Sequence, residues 1–399
     1  MDASVRKLNY SSIDKFNKII SIIDIYMYIL LLFPIMTVVQ DYGIINKLMF
    51  GLLLAIQIAV LLKYGVTKNE LLIFFVLCCN YMYTLLQTRF PINNINLLIY
   101  YPFFIVYIQF YVKNKKILLN WLVIKQGFVK LMIWIWTFIV GISIFLPSSY
   151  NVKEGGQRYF GSFCGTIFRL GPSAVFIMGL CLVAMALYNK RKYIFFMAIP
   201  LYSTFMGSSR TYLLIGASLF IIGWYWYCPS KRDFYRTIIP IGIISLIFVI
   251  NSAIGEKIKY TLDDSNYGDF WFRITSSRSV LWENNLRGMA NENFLNKLFG
   301  AGIEFTTNLT GLWAHNDFIE IFCSFGFLGI AMYYRQIKYV IKNVLRKNAK
   351  VPNLIMILAI ASWFINAMFN MFYVYFCALL SYPIILSAIN YKYIDKENK

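Results

Sequence analysis

The chain has 399 residues, of which 59% are hydrophobic, 19% aromatic and only 14% charged. Its formal net charge of +20 comes from 38 lysines and arginines against 18 acids. A soluble globular domain cannot bury this much apolar surface, so the composition excludes that class and predicts an all-α integral membrane protein.

A membrane-spanning helix needs about 20 mostly apolar residues, and on this measure the chain holds about twelve candidate segments. They are residues 19–39, 45–63, 71–88, 95–112, 125–146, 171–188, 192–207, 210–227, 236–252, 316–336, 352–370 and 372–390. We therefore predict three parts: helices 1 to 9 with short loops (1–251), a large polar loop (252–315), and helices 10 to 12 with a tail (316–399).

Lysines and arginines concentrate at alternate helix ends, which by the positive-inside rule predicts that both termini are cytoplasmic. The loop between helices 9 and 10 is different, because its six basic residues face seven acids over 252–314. It is predicted to lie outside the cytoplasmic membrane. The basic residues do not gather on one patch, so the charge is no argument for a nucleic-acid partner.

The chemistry that the sequence excludes is also informative. The 7 cysteines lie mostly in apolar runs without metal-ligand spacing. No phosphate-binding loop, glycine-rich dinucleotide turn or zinc motif is present. If the chain is an enzyme, we therefore expect it to need no cofactor, neither a nucleotide sugar nor a protein-bound metal.

Each of the three predicted outer segments contains an arginine: Arg158, Arg210 and Arg278. The third segment ends at the only histidine, His315. Guanidinium groups match phosphate oxygens in bidentate geometry, so this pattern favours a grip on a diphosphate just above the lipid. His315 precedes a predicted helix start, whose positive end favours a neutral imidazole.

Each of these residues also has an ordinary structural explanation, which for His315 is that of a structural histidine in a loop. Arg158 has the setting of a solvated loop residue, and Arg210 that of an arginine at the end of a span. Arg278 follows a Ser/Thr run that is typical of a helix N-cap. Glu320 lies three residues after Asp317, which is the spacing of a capping box that opens helix 10.

The segment 276–330 resembles the core of the O-antigen polymerase and O-antigen ligase superfamily, the Wzy-type bacterial polysaccharide polymerases. The similarity consists of an arginine and a tryptophan in the outer loop, the glycine-rich step 299–302, and His-Asn opening the next helix. Ten residues separate His315 from Gly326, as in that family. Upstream, Ser209-Arg210 and the run from Arg158 to Pro172 resemble further family motifs.

The resemblance implies a GT-C-like fold and a glycosyl transfer between two undecaprenyl-diphosphate-linked glycans. Arg210 and Arg278 first, and Arg158 second, would stabilise the diphosphate leaving group. His315 or, failing it, Glu320 would accept the proton of the attacking sugar hydroxyl. A chain-length regulator and a flippase are the implied partners. An O-antigen ligase is the alternative within the class, and a lipid-linked oligosaccharide flippase or other transporter the alternative outside it.

Overall fold

The computed structural model describes residues 10–39, 44–63, 65–89, 97–152, 158–252, 255–256, 259, 272, 275, 278–345 and 351–394. In these residues the chain is helical apart from a two-stranded antiparallel hairpin and short turns. Six of the described helices are long and apolar enough to cross a membrane. The chain is thus an all-α membrane-embedded protein, as composition predicted. The count of twelve spans and the GT-C-like arrangement stay predictions.

Every apolar segment found in the sequence contains a helix, although several begin or end elsewhere. The first ten helices are α1 (Tyr10–Val39), α2 (Ile44–Lys63), α3 (Lys68–Gln87), α4 (Leu97–Ile124), α5 (Gln126–Ser143), α6 (Ile167–Leu187), α7 (Tyr193–Phe196), α8 (Ala198–Met206), α9 (Arg210–Tyr227) and α10 (Lys231–Ile250). Strands β1 (Tyr150–Val152) and β2 (Arg158–Phe160) pair between α5 and α6.

The polar segment and the C-terminal part add six more described helices. They are α11 (Arg278–Asn291), α12 (Phe294–Phe299), α13 (Phe305–Thr310), α14 (Asp317–Val344), α15 (Asn353–Phe369) and α16 (Phe376–Ile394). Short helices α11 to α13 therefore connect two long apolar regions, and they bring the predicted site residues up to the ends of α9, α14 and α15.

The core is built around α6, whose spanning window is 94% buried. Glycines let neighbouring helices approach it closely, as is common in membrane proteins. A Cβ on Gly171 would lie 2.2 Å from the ring of Tyr212 in α9, and a Cβ on Gly179 would lie 2.8 Å from Ile385 in α16. The start of α9 is thereby fixed against α6, and Arg210 stands at that start.

Helix α14 is interrupted at Gly326, which has φ 68° and ψ −167°. Only glycine adopts this backbone conformation readily. A Cβ at Gly326 would lie 2.5 Å from the carbonyl group of Leu298, and a Cβ at Gly300 (φ 109°) would lie 2.0 Å from the carbonyl oxygen of Ser324. The glycine-rich step and the interruption of α14 thus require each other.

Neutral groups satisfy the backbone at this interruption. The N–H of Ala301 donates to the carbonyl of Cys323 at 2.9 Å. Asn80 in α3 donates its Nδ2 to the carbonyls of Phe299 and Phe325, at 2.8 Å and 3.0 Å. Because lipid offers no hydrogen bonds, irregular backbone in a membrane needs such internal partners. We call this arrangement, Gly326 with residues 299–301, the glycine break.

A second irregular segment separates α15 from α16. Residue Phe369 ends α15, Phe376 begins α16, and Met371 between them has a φ of 149° although it is not a glycine. The carbonyl of Phe369 accepts a hydrogen bond from the guanidinium of Arg278. We call residues 370–375, with the side chains of Arg278 and Asp317 that hold their two sides, the charged break. The sequence predicted a split near residue 370, and the structure confirms it.

Candidate functional site

Arg278 is the first residue of α11, and Thr275 caps that helix by accepting the N–H of Ser279 on its Oγ1 at 2.9 Å. The Ser/Thr run therefore does cap the helix, as its pattern indicated. The cap directs Arg278 onto the carbonyl of Phe369 at the end of α15. Burial lowers the pKa of Arg278 below its ordinary value, and the charge of Arg210 lowers it further.

Arg210 is the first residue of α9, where Ser209 is the N-cap and accepts the N–H of Tyr212 at 3.4 Å. The preceding residue, Ser208, has a positive φ of 53°, so the chain turns sharply out of α8. This turn places the guanidinium of Arg210 within electrostatic range of Arg278, half-buried like its neighbour. Two arginines that are distant in sequence thus share one electrostatic environment.

His315 lies beside Arg278, one member of this arginine pair. Burial and then the charge of Arg278 lower its pKa from 6.5 to about 4, so the imidazole is neutral at physiological pH. Its ring is stacked with Phe168 at the start of α6, with ring centroids 6.3 Å apart. Nδ1 is buried and has no hydrogen-bond partner among the described residues. The sequence predicted a neutral imidazole from the helix dipole, whereas the structure attributes it to burial and a neighbouring cation.

Aromatic side chains fix the position of the segment between α13 and α14 (residues 311–316), which contains His315 and which we call the histidine loop. Trp282 of α11 donates its Nε1 to the carbonyl of Ala314 at 2.7 Å, directly before His315. Its ring also packs against Phe369, with centroids 6.1 Å apart. Tyr375, from the charged break, stacks with Phe168 at 6.4 Å and lies near enough to Arg278 to affect its pKa. Trp282 thus holds the loop in place, a role that the sequence did not predict.

An open groove of about 530 Å³ runs along α11 and is lined by Trp282 among others. Its described lining continues from Thr275 to Ala290 and includes Glu283 and Arg287. Trp282 therefore lines the groove and also donates a hydrogen bond to the carbonyl of Ala314.

The capping box predicted from Asp317 and Glu320 is wrong. The N-cap of α14 is Asn316, whose Oδ1 accepts the N–H groups of Phe318 at 3.0 Å and Ile319 at 3.2 Å. Asparagine is as good an N-cap as aspartate, so this was a signal in the sequence that the D-x-x-E pattern obscured. Both acids are consequently released for other contacts.

Glu320 is buried and turns toward the preceding loop. Both of its carboxylate oxygens lie within 2.9 Å of the Thr306 hydroxyl, and one accepts the N–H of Ala314 at 3.1 Å. These bonds tie α13 and the residue before His315 to α14. The geometry gives Glu320 a positioning contact, and its predicted part as a proton acceptor stays untested.

Asp317 is fully buried and joins α14 to the charged break. Tyr333, further along α14, donates its hydroxyl to the Asp317 carboxylate. The backbone N–H groups of Phe372 and Tyr373 face the same carboxylate. The charged break therefore meets a cation on its carbonyl side and a buried carboxyl group on its amide side. No sequence pattern connects Asp317 with residues 372–373, which lie two helices later.

The structure brings Arg210, Arg278 and His315 together, and Glu320 supports the loop that carries His315. The backbone of Arg158 belongs to β2 and pairs with Val152, but its side chain lies outside what the structure describes. Among the described residues, no three histidine, cysteine, aspartate or glutamate side chains could hold a metal ion together. No known protein family matches the chain, and no curated protein is significantly similar to it. The resemblance drawn from the sequence therefore rests on its motifs alone.

Proposed function

We propose that the chain is a glycosyltransferase that polymerises undecaprenyl-diphosphate-linked oligosaccharide repeat units into an O-antigen, a capsular polysaccharide or an exopolysaccharide. The transfer would take place at the outer face of the bacterial cytoplasmic membrane and would need no metal. The observation that supports the proposal best is the convergence of Arg210, Arg278 and His315 from three separate segments.

Two half-buried guanidinium groups repel each other, and their positive field is what a diphosphate requires. Guanidinium forks bind phosphate oxygens in pairs, and they strengthen as charge builds on a leaving diphosphate. Arg278 already donates to the carbonyl of Phe369, which fixes one side of its fork. The remaining N–H groups of a preorganised arginine are the kind of donor that stabilises a transition state.

His315 is suited to accept a proton from the acceptor sugar hydroxyl. That hydroxyl would attack the anomeric carbon of the donor, the glycosidic bond to the diphosphate would break, and the released lipid diphosphate would keep the bonding electrons. Burial and then the charge of Arg278 lower the pKa of His315, and a bound diphosphate would offset the second of these causes. The imidazole would then become a stronger base only when the donor is in place.

The test is polymerisation of purified lipid-linked repeat units by the reconstituted protein in the presence of EDTA. Arg210→Lys and Arg278→Lys should each abolish polymer, because lysine keeps the charge but loses the fork. The matched control is Arg287→Lys in the same helix as Arg278. Its side chain is 75% exposed and pairs with Glu283, so polymer should form at the wild-type level.

His315→Ala should also yield no polymer while the protein remains in the membrane. Full polymer from both arginine variants would dismiss the diphosphate grip, and activity that returns only with an added divalent ion would dismiss metal-independent transfer. Transfer to lipid A core without any polymer would assign the ligase reaction instead. Movement of the lipid-linked unit across the membrane without transfer would assign the transporter class.

A further inference from the structure

A cavity of about 330 Å³ lies where the ends of four helices meet, and neither Arg210, Arg278 nor His315 lines it. Its lining comes from the turn after α6, the end of α9, the start of α10 and the end of α16. The volume is within the range of ordinary small-molecule pockets, about 300–1,000 Å³. We call this cavity the basic pocket, because Arg191, Lys231 and Lys392 line it and none of its described lining residues is acidic.

The position of each cation in the basic pocket is determined by the fold. Lys392 of α16 directs its Nζ toward the carbonyl of Met185 at 3.4 Å and toward Oδ1 of Asn189 at 3.5 Å. Asn189 has a φ of 52°, which turns the chain after α6 and brings Arg191 to the rim. Lys231 is the first residue of α10, so it stands at the positive end of that helix.

The electrostatics of the basic pocket favour an anion. Three cations and the positive end of a 20-residue helix point to one space. Asp233, two residues after Lys231, is engaged by the hydroxyl of Ser230 at 2.6 Å and so turns toward the helix cap. A phosphate group is the anion whose size and charge suit this combination of ammonium, guanidinium and helix N–H donors.

The pocket is also at the height where a membrane surface would be. Helix α10 is one of the six candidate spans, and Lys231 begins it. Trp226 and Tyr393 form the wall, joined by a hydrogen bond from the indole Nε1 to the phenol oxygen at 3.2 Å. Tryptophan and tyrosine are typical of the boundary between lipid and water.

The neighbouring surface offers a place for acyl chains. Only 6% of the α10 span is buried, and apolar side chains such as Ile239 and Ile243 are 59% and 56% exposed. A phosphate held at Lys231 would therefore stand at the head of a long apolar surface. A phospholipid fills both at once, whereas a free phosphate would fill only the pocket.

We propose that the basic pocket binds the phosphate of an anionic phospholipid headgroup, with the acyl chains lying along α10. The binding is separate from glycosyl transfer and holds whether or not the chain is a polymerase. Its recognition elements are Arg191, Lys231 and Lys392, and Trp226 forms the apolar wall.

The experiment compares lipid binding to the full-length protein by native mass spectrometry in detergent, with phosphatidylglycerol and with phosphatidylcholine as probes. The variant Arg191→Gln/Lys231→Gln removes two lining cations. The control Lys190→Gln/Arg232→Gln removes one lysine and one arginine from the adjacent positions, which are exposed and outside the lining. Each cation near a membrane surface contributes about 1 kcal/mol to the binding of anionic lipid, so the pocket variant should bind phosphatidylglycerol roughly 30-fold more weakly.

The control should keep wild-type affinity for phosphatidylglycerol. Phosphatidylcholine should bind to the wild type and to the pocket variant with the same affinity. Thermal unfolding without lipid should be the same for both double variants, which shows that loss of binding is not loss of folding. Inorganic phosphate at millimolar concentration should fail to displace phosphatidylglycerol; displacement would assign the pocket to a free phosphate and overturn the lipid. Equal weakening in both double variants would also overturn the proposal, because lipid binding would then depend only on diffuse surface charge. Unchanged binding in both variants would overturn it too, because the lipid would then not use these cations.

Discussion

The glycine break and the charged break interrupt apolar helices by opposite means. At the glycine break, the backbone of α14 lies against the backbone of residues 299–301, and neutral groups supply every described hydrogen bond. At the charged break, the Arg278 guanidinium and the buried Asp317 carboxyl group, which come from distant elements, lie on either side of residues 370–375. The glycine break is a close contact between two backbone segments, with no room for an added side-chain atom. The charged break depends on Arg278 and Asp317, and Arg278 is also a candidate substrate ligand.

This difference indicates which break can respond to a substrate. A diphosphate that engages Arg278 would compete with the carbonyl of Phe369 for its N–H groups. Nothing comparable acts on the glycine break, whose described partners are backbone groups, the amide of Asn80 and the hydroxyl of Thr84. We therefore expect the glycine break to govern folding and the charged break to govern activity.

The largest effect should come from closing the space at the glycine break. Gly326→Ala places a methyl group 2.5 Å from backbone atoms in a conformation that alanine rejects, and Gly300→Ala does the same at 2.0 Å. Each should cost more than about 3 kcal/mol and leave little folded protein, as judged by fluorescence-detected size exclusion. Gly141→Ala is the control, because nothing lies within 4 Å of the added methyl group. Folded and active Gly326→Ala protein would remove the distinction between the two breaks.

A smaller effect is expected at the amide side of the charged break. Asp317→Asn puts an amide group where the Tyr333 hydroxyl and two backbone N–H groups converge, so donors face donors. The loss should be about 1.5–3 kcal/mol in SDS titration of mixed micelles, with a larger relative loss of polymer. Tyr333→Phe removes a single donor and should cost about 1 kcal/mol. An Asp317→Asn protein as stable as Tyr333→Phe would mean that the carboxylate does not hold the break.

The pH dependence of stability tests the environment of His315. Its pKa in the folded protein, about 4, is below the ordinary 6.5, so the unfolded chain takes up the proton first as pH falls. Its contribution is therefore complete above pH 6.5 and is lost as the pH falls toward 4. Between about pH 7 and pH 5 the wild type should lose about 1–2 kcal/mol more than His315→Gln. The chain has only 1 histidine, so this difference reports one imidazole. Parallel curves for the two proteins would contradict the burial of His315 beside Arg278.

The smallest effect should come from the tryptophan that holds the histidine loop. Trp282→Phe keeps a ring against Phe369 but leaves the carbonyl of Ala314 without its donor. We expect a loss of about 0.5–1.5 kcal/mol in stability and a several-fold drop in transfer rate. Trp134→Phe in α5, whose side chain is 56% exposed, should change neither. A Trp282→Phe enzyme with an unchanged rate would show that the loop finds its position without this bond.

Much of the helical architecture follows from hydropathy, because each apolar segment must satisfy its backbone within a helix. The split near residue 370 was also visible, since the two flanking runs are each about as long as a span. The cap of α14 was misassigned, because Asn316 and Asp317 are both good caps and only the structure shows which one meets the free N–H groups.

The contacts that build the candidate site were beyond the reach of the sequence. Arg278 meets a backbone carbonyl of Phe369, and any residue type supplies such a carbonyl. Asp317 likewise faces backbone N–H groups from two helices later. The sequence motifs were enough to select Arg210 and His315 as candidate site residues. Their electrostatic interactions with Arg278, however, depend on how α9, α11 and α14 pack.

The backbone of His315 limits what mutagenesis can reveal at this position. Its φ of 50° is in the left-handed region, which asparagine, aspartate and glycine adopt with little strain and which β-branched residues avoid. A saturation library should therefore divide into two classes. Asparagine and glycine variants should accumulate in the membrane and report the loss of the imidazole itself, whereas valine, isoleucine and threonine variants should be depleted for conformational reasons. The informative replacement at a position with a left-handed backbone is thus chosen by its torsion angles before its chemistry.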